Sequence, residues 1–101
     1  MAEENTTTFT DHEARVIRLT EERRTHILDH PEMADQLGRV AETLADPDAV
    51  VATSADETVH VYHKHYAQTP VTEKFLLVAV KMLGDDAFVL TAFFTTAKKG
   101  E

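Results

Sequence analysis

The 101-residue chain contains no cysteine, which excludes disulfides, thiolate metal sites and cysteine nucleophiles. Glycine and proline are scarce, three of each, so little of the chain is compositionally biased toward disorder. Basic residues are few: 10 Lys and Arg against 18 Asp and Glu leave a net charge of −8. A protein this acidic is repelled by nucleic acid at long range. That excludes an indiscriminate RNA or DNA coat, though not a nuclease acting on a few phosphates. Long hydrophobic runs are also missing. The longest, residues 75–80, falls far short of the roughly 20 residues of a membrane span. Residues 1–14 are acidic and Thr-rich rather than basic and then apolar, unlike a signal peptide. The expectation is a cytoplasmic protein with no membrane partner, its length suiting a single domain.

Charge is unevenly placed. Residues 1–57 carry 14 acids and five arginines, whereas residues 58–101 carry four acids and five lysines. The first half is therefore strongly acidic and the second nearly neutral.

Residues 1–13 read as a flexible polar tail anchored only by Phe9, and residues 14–101 as one domain. Residues 14–19 suit a short strand, since Val16 and Ile17 are β-branched. Thr20 suits an N-cap, with Glu21 and Glu22 in a first turn where the helix dipole favours acids. That helix should run to about Asp29. Pro31 suits the start of a second helix, in which Met33, Leu37, Val40 and Leu44 form an apolar stripe. Asp46-Pro47 ends it. From there the period becomes two, with strands expected over residues 49–53, 58–66, 75–83 and 87–95 and a tight turn at 84–86. Short connections imply antiparallel pairing. The expected fold class is α+β: two N-terminal helices packed on an antiparallel sheet of about four strands, with room for an extra N-terminal edge strand.

Two segments hold most of the histidines. His26 and His30 are four apart and share a helix face, although Pro31 interrupts the helix there. On the strand 58–66, alternation puts His63 and His65 on one face with Val59 and Val61. The other face carries His60, Tyr62, Lys64 and Tyr66. The plain reading of each histidine is structural, and His12 in the tail is the plainest. A zinc site could use the helix pair and a strand histidine, but the glutamate of His-Glu-x-x-His is missing and no spacing dictates a third ligand. Acid–base chemistry is the other option, one imidazole removing a proton and another returning it. Lys64, Lys74 or Lys81 would then hold an anionic transition state.

The run from Leu19 through His26, His30 and Pro31 to Met33 resembles the opening of a phage-associated nuclease-like family named for barnase, EndoU, colicin and RelE. Residues 43–48 followed by Val50 and Val51, the strand segment 61–66, and Thr91-Ala92-Phe93 with Lys98 fit the same pattern in order. The resemblance covers roughly residues 15–100. It implies two helices followed by a four-stranded antiparallel sheet, and toxin-like, metal-independent RNA cleavage without a cofactor. In that scheme a 2′-hydroxyl attacks the neighbouring phosphate. The residues it implies are His26 for acid–base work, Lys64 and Thr91 on the phosphate, and Lys98 as a second cation. His30 would bridge the helices. Lys64 stands where the family has arginine, which loses the bidentate fork to phosphate. Phe93 stands where it has tyrosine, which removes a phenolic donor. The alternative is a non-catalytic descendant that keeps the fold and binds a protein, an inhibitor or another partner.

Overall fold

A computed structural model of the chain describes residues 6–96. The elements, in chain order, are β1 (Thr7–Thr10), β2 (Val16–Leu19), α1 (Glu21–Leu28), a 3₁₀ turn (Pro31–Met33), α2 (Leu37–Ala45), β3 (Ala49–Ala52), β4 (Val59–His65), β5 (Phe75–Leu83) and β6 (Asp86–Thr95). Thr20 caps α1 as its residue type predicts, its hydroxyl accepting the Arg23 N–H at 3.3 Å. Gly84, at φ +59°, takes the left-handed position of the tight turn between β5 and β6.

The expected sheet needs correcting in two respects. It has six strands rather than four, in the order β1-β2-β6-β5-β4-β3, and it is mixed rather than antiparallel. The meander from β3 to β6 is antiparallel throughout. β2, however, joins β6 in parallel, with Arg18 opposite Phe88. The strand at residues 16–19 is not an edge strand, because β1 pairs antiparallel outside it. Residues 7–10, expected to lie in a loose tail, form that edge. The physical reason is a long-range contact: Asp11, which follows β1, is buried and accepts the Tyr62 hydroxyl, so it pins the segment to the body of the protein.

The second helix is also interrupted. Pro31–Met33 forms a 3₁₀ turn, and Asp35 adopts φ 66° before α2 begins. A short polar side chain tolerates this left-handed conformation better than most. The apolar stripe survives the break. Met33, Val40 and Leu44 are all buried beside Ile27 of α1.

Both helices pack on one side of the sheet. There the main core joins Ile17 and Leu19 of β2, Tyr62 of β4, Leu76, Val78 and Val80 of β5, and Ala87, Val89, Ala92 and Phe94 of β6. The other side carries a separate, smaller apolar cluster. Val61, Leu77 and Ala79 form its centre, with Val59, Leu90 and Phe93 packed around them. Neither helix contributes to it. Among the described residues no helix is long and apolar enough to cross a membrane.

Candidate functional site

His26 lies in the last turn of α1 and is exposed, its ring edge-on to that of His30 with centroids 6.2 Å apart. His30 does connect the helical segments, through its backbone: its N–H donates to the Ile27 carbonyl and its own carbonyl accepts from Met33. Beside this junction Arg24, Leu28, Ala34, Asp35, Leu37 and Gly38 line an open groove of about 490 Å³.

Lys64 projects to the helix side of β4, as does Tyr66 just beyond that strand. The Lys64 ammonium donates to the Asp46 carbonyl at 2.9 Å and approaches its carboxylate at 3.4 Å. It thus sits where a cation complements the C-terminal end of α2. Tyr66 donates to the Glu42 carboxylate at 2.7 Å, and the Arg39 guanidinium lies 4.4 Å from its ring centre. Burial, followed by the Glu42 carboxylate, pushes the Tyr66 phenol up to about 12. It is therefore a donor and not a base.

Thr91 pairs with Ala79, and directly opposed residues of a ladder share a face. Ala79 belongs to the cluster on the helix-free side, so the sheet stands between Thr91 and the two residues His26 and Lys64. Those two share a side, but α1 packs over β6 while Lys64 is on β4. Two strand spacings, on the order of 10 Å, separate those strands. Lys98 lies outside the described residues. His63 and His65 share a face of β4, as alternation requires, but differ in burial. His63, on the helix-free face, is fully buried, and exposed His65 stands edge-on to Phe75 at 5.2 Å. Among the described residues no group of three or more His, Asp or Glu side chains is placed to hold a metal ion.

The loop joining β1 to β2 holds a polar cluster that sequence reasoning missed. One carboxylate oxygen of Asp11 accepts the backbone N–H groups of Glu13 and Arg15, at 2.9 and 2.8 Å. These flank Ala14, whose φ of 66° they hold in place. The other oxygen accepts the Tyr62 hydroxyl at 2.7 Å and lies 3.4 Å from the Arg15 guanidinium. Burial raises the Asp11 pKa, but the Tyr62 hydroxyl, the two backbone donors and Arg15 together outweigh it and leave the carboxyl below the usual range. Burial and the adjacent carboxylate push the Tyr62 phenol up. His12 completes the cluster, its N–H donating to the Leu44 carbonyl and its ring edge-on to Tyr62 at 5.9 Å. The one signal in the sequence was an aspartate four residues before an arginine in a turn-forming segment. Tyr62, 51 residues away, could not be paired with it by spacing.

Asp11 and Tyr62 form a lock between the N-terminal hairpin and the centre of the sheet. They do not form an acid–base pair, since one group is held charged and the other neutral. The helix-free side of the sheet carries the small apolar cluster around Val61, Leu77 and Ala79, edged by the partly buried Val59, Leu90 and Phe93. No family model matches the chain, and neither the curated proteins nor the solved structures contain a match.

Proposed function

We propose that the protein is a non-catalytic protein-binding domain whose docking surface is the helix-free face of its sheet. The observation that carries this reading is the division of the candidate catalytic groups. Cleavage by 2′-hydroxyl attack needs a base, an acid and a phosphate-holding donor converging on one phosphate, each within about 3 Å of its target atom. Thr91 faces away from His26 and Lys64 across the sheet, and the Lys64 ammonium is engaged with Asp46. The helix-free face, by contrast, presents a continuous apolar cluster in the half of the chain that carries little net charge.

The test is an RNA assay in EDTA from about pH 5 to about pH 8, the range over which histidine changes charge. Structured and single-stranded RNA are offered to the wild type and to His26→Ala. Neither protein is expected to cleave. Cleavage by the wild type that disappears in His26→Ala would overturn the binding reading and restore the nuclease expectation.

A further inference from the structure

We infer that His26 and His30 form a two-imidazole binding site for a late first-row divalent metal ion, Cu²⁺ foremost. The pair lies in the helical layer, away from the helix-free face, so the site is independent of the binding reading above.

Geometry is the first support. Both imidazoles are exposed, and their ring centres stand 6.2 Å apart. An imidazole nitrogen binds such an ion at about 2.0–2.1 Å, which puts each ring centre roughly 3.2 Å from the metal. Two rings on one ion therefore have centres roughly 4.5 Å apart when cis and roughly 6.4 Å apart when trans. The observed spacing already falls in that span. The ring planes meet edge to face, at 89°. Exposed side chains change rotamer freely, so a turn of the rings aims one nitrogen of each at a shared ion.

The backbone holds the two side chains at this separation. His26 lies in the last turn of α1. Asp29 keeps right-handed helical angles, φ −64° and ψ −19°, so the chain turns helically as far as His30. The His30 N–H donates to the Ile27 carbonyl at 3.1 Å, and its carbonyl accepts the Met33 N–H at 2.9 Å. Ile27 and Met33 are both fully buried, which anchors the junction in the core. Pro31 confines the residue before it to extended angles, and His30 has φ −85° and ψ 116°. Among the described residues neither imidazole is engaged by a hydrogen bond or an ion pair.

The donor type selects the ion. Imidazole nitrogen suits Cu²⁺, Ni²⁺ and Zn²⁺, whereas Mg²⁺ and Ca²⁺ take oxygen ligands. Affinity within the first-row series peaks at Cu²⁺. Two protein nitrogens do not close a structural site, so water fills the remaining positions, as tetragonal coordination by nitrogen and oxygen allows. Charge favours the cation as well. Residues 21–35 carry five acids against two arginines, in a chain of net charge −8.

The experiment is titration of the full chain with Cu²⁺ and Zn²⁺, read by calorimetry and by NMR. The imidazole resonances of His26 and His30 are expected to shift together with Zn²⁺. Amide signals over residues 25–33 are expected to broaden first with paramagnetic Cu²⁺. Cu²⁺ is expected to bind at least about tenfold more tightly than Zn²⁺. His26→Ala and His30→Ala are each expected to weaken binding at least about tenfold. His65→Ala, an exposed histidine on the sheet, is expected to leave it unchanged. Neither pair substitution touches the His30 backbone bonds, so the thermal transition of both variants should match the wild type. Two separate binding events, each lost in one variant only, overturn the shared site. Undiminished affinity in either variant also overturns it, and displacement of the ion by Mg²⁺ would assign it to carboxylates instead. So does the absence of any change at His26 and His30 up to about 1 mM metal, beyond which binding is too weak to be a site.

Discussion

The two faces of the sheet are built from the same strands and differ in what covers them. On one, Leu76, Val78 and Val80 of β5 meet Ile27, Met33, Val40 and Leu44 from the helical layer. On the other, Leu77 and Ala79 of the same strand cluster with Val59 and Val61 of β4 and Leu90 and Phe93 of β6, and among the described residues neither helix joins them. Alternation along β5 thus yields a core on one side and a half-covered cluster on the other. The lesson is that a nearly continuous apolar strand does not imply helices on both faces.

The sharpest way to break this comparison is to truncate the covered face. Leu44→Ala should destabilise the protein by about 2–5 kcal/mol in urea unfolding, because it removes a fully buried side chain between α2 and the sheet. A loss below about 1 kcal/mol would mean that the helices are not what stabilises that face.

Next in size is the Asp11–Tyr62 lock. Tyr62→Phe should cost about 1–3 kcal/mol, since it deletes a hydrogen bond to a buried carboxylate. The same lock sets an acid dependence. Asp11 has a folded pKa below its ordinary value of 3.8, so its contribution is complete above that value and is lost as pH falls through the lower folded pKa. Thermal melts should therefore drop on acidification below about pH 4, and less steeply in Asp11→Asn. Asp56 and Asp86, held low first by the Lys81 and Arg18 hydrogen bonds respectively, slope in the same direction. A shared slope unchanged by Asp11→Asn would assign the acid response to those two exposed pairs instead.

The smallest effect is expected on the helix-free side. Leu90→Ala in dilute solution should cost about 1 kcal/mol or less, because the side chain is only partly buried. A loss matching that of Leu44→Ala would make the two faces equivalent in the monomer and remove the contrast between them.

Much of this division was legible in the residues. Period two along β4 separates Tyr62 and Lys64 from Val61 and His63, and the structure places them on opposite faces. The Thr20 cap and the Met33–Val40–Leu44 stripe were equally local, and local patterns are what a sequence displays directly. Thr91 was different. Strict alternation from Ala87 and Val89 would send it to the helical side, but the extra residue at Leu90 reverses the phase and turns it to the other. No residue type announces a bulge at Leu90. The β1–β2 hairpin was hidden for another reason. Its attachment depends on Asp11 meeting Tyr62 and on Arg18 meeting Asp86, contacts between residues 51 and 68 positions apart.

Those separations bear on the order in which the chain assembles. The β3–β6 meander closes through short connections, whereas the parallel β2–β6 junction must bring together segments at opposite ends of the chain. Closing so long a loop costs more entropy and is rewarded only once the meander exists to receive it. The N-terminal hairpin is therefore expected to dock after the rate-limiting barrier. In stopped-flow chevrons, Tyr62→Phe should then accelerate unfolding while leaving the refolding rate nearly unchanged. Slower refolding with unaltered unfolding would place the hairpin in the folding nucleus instead.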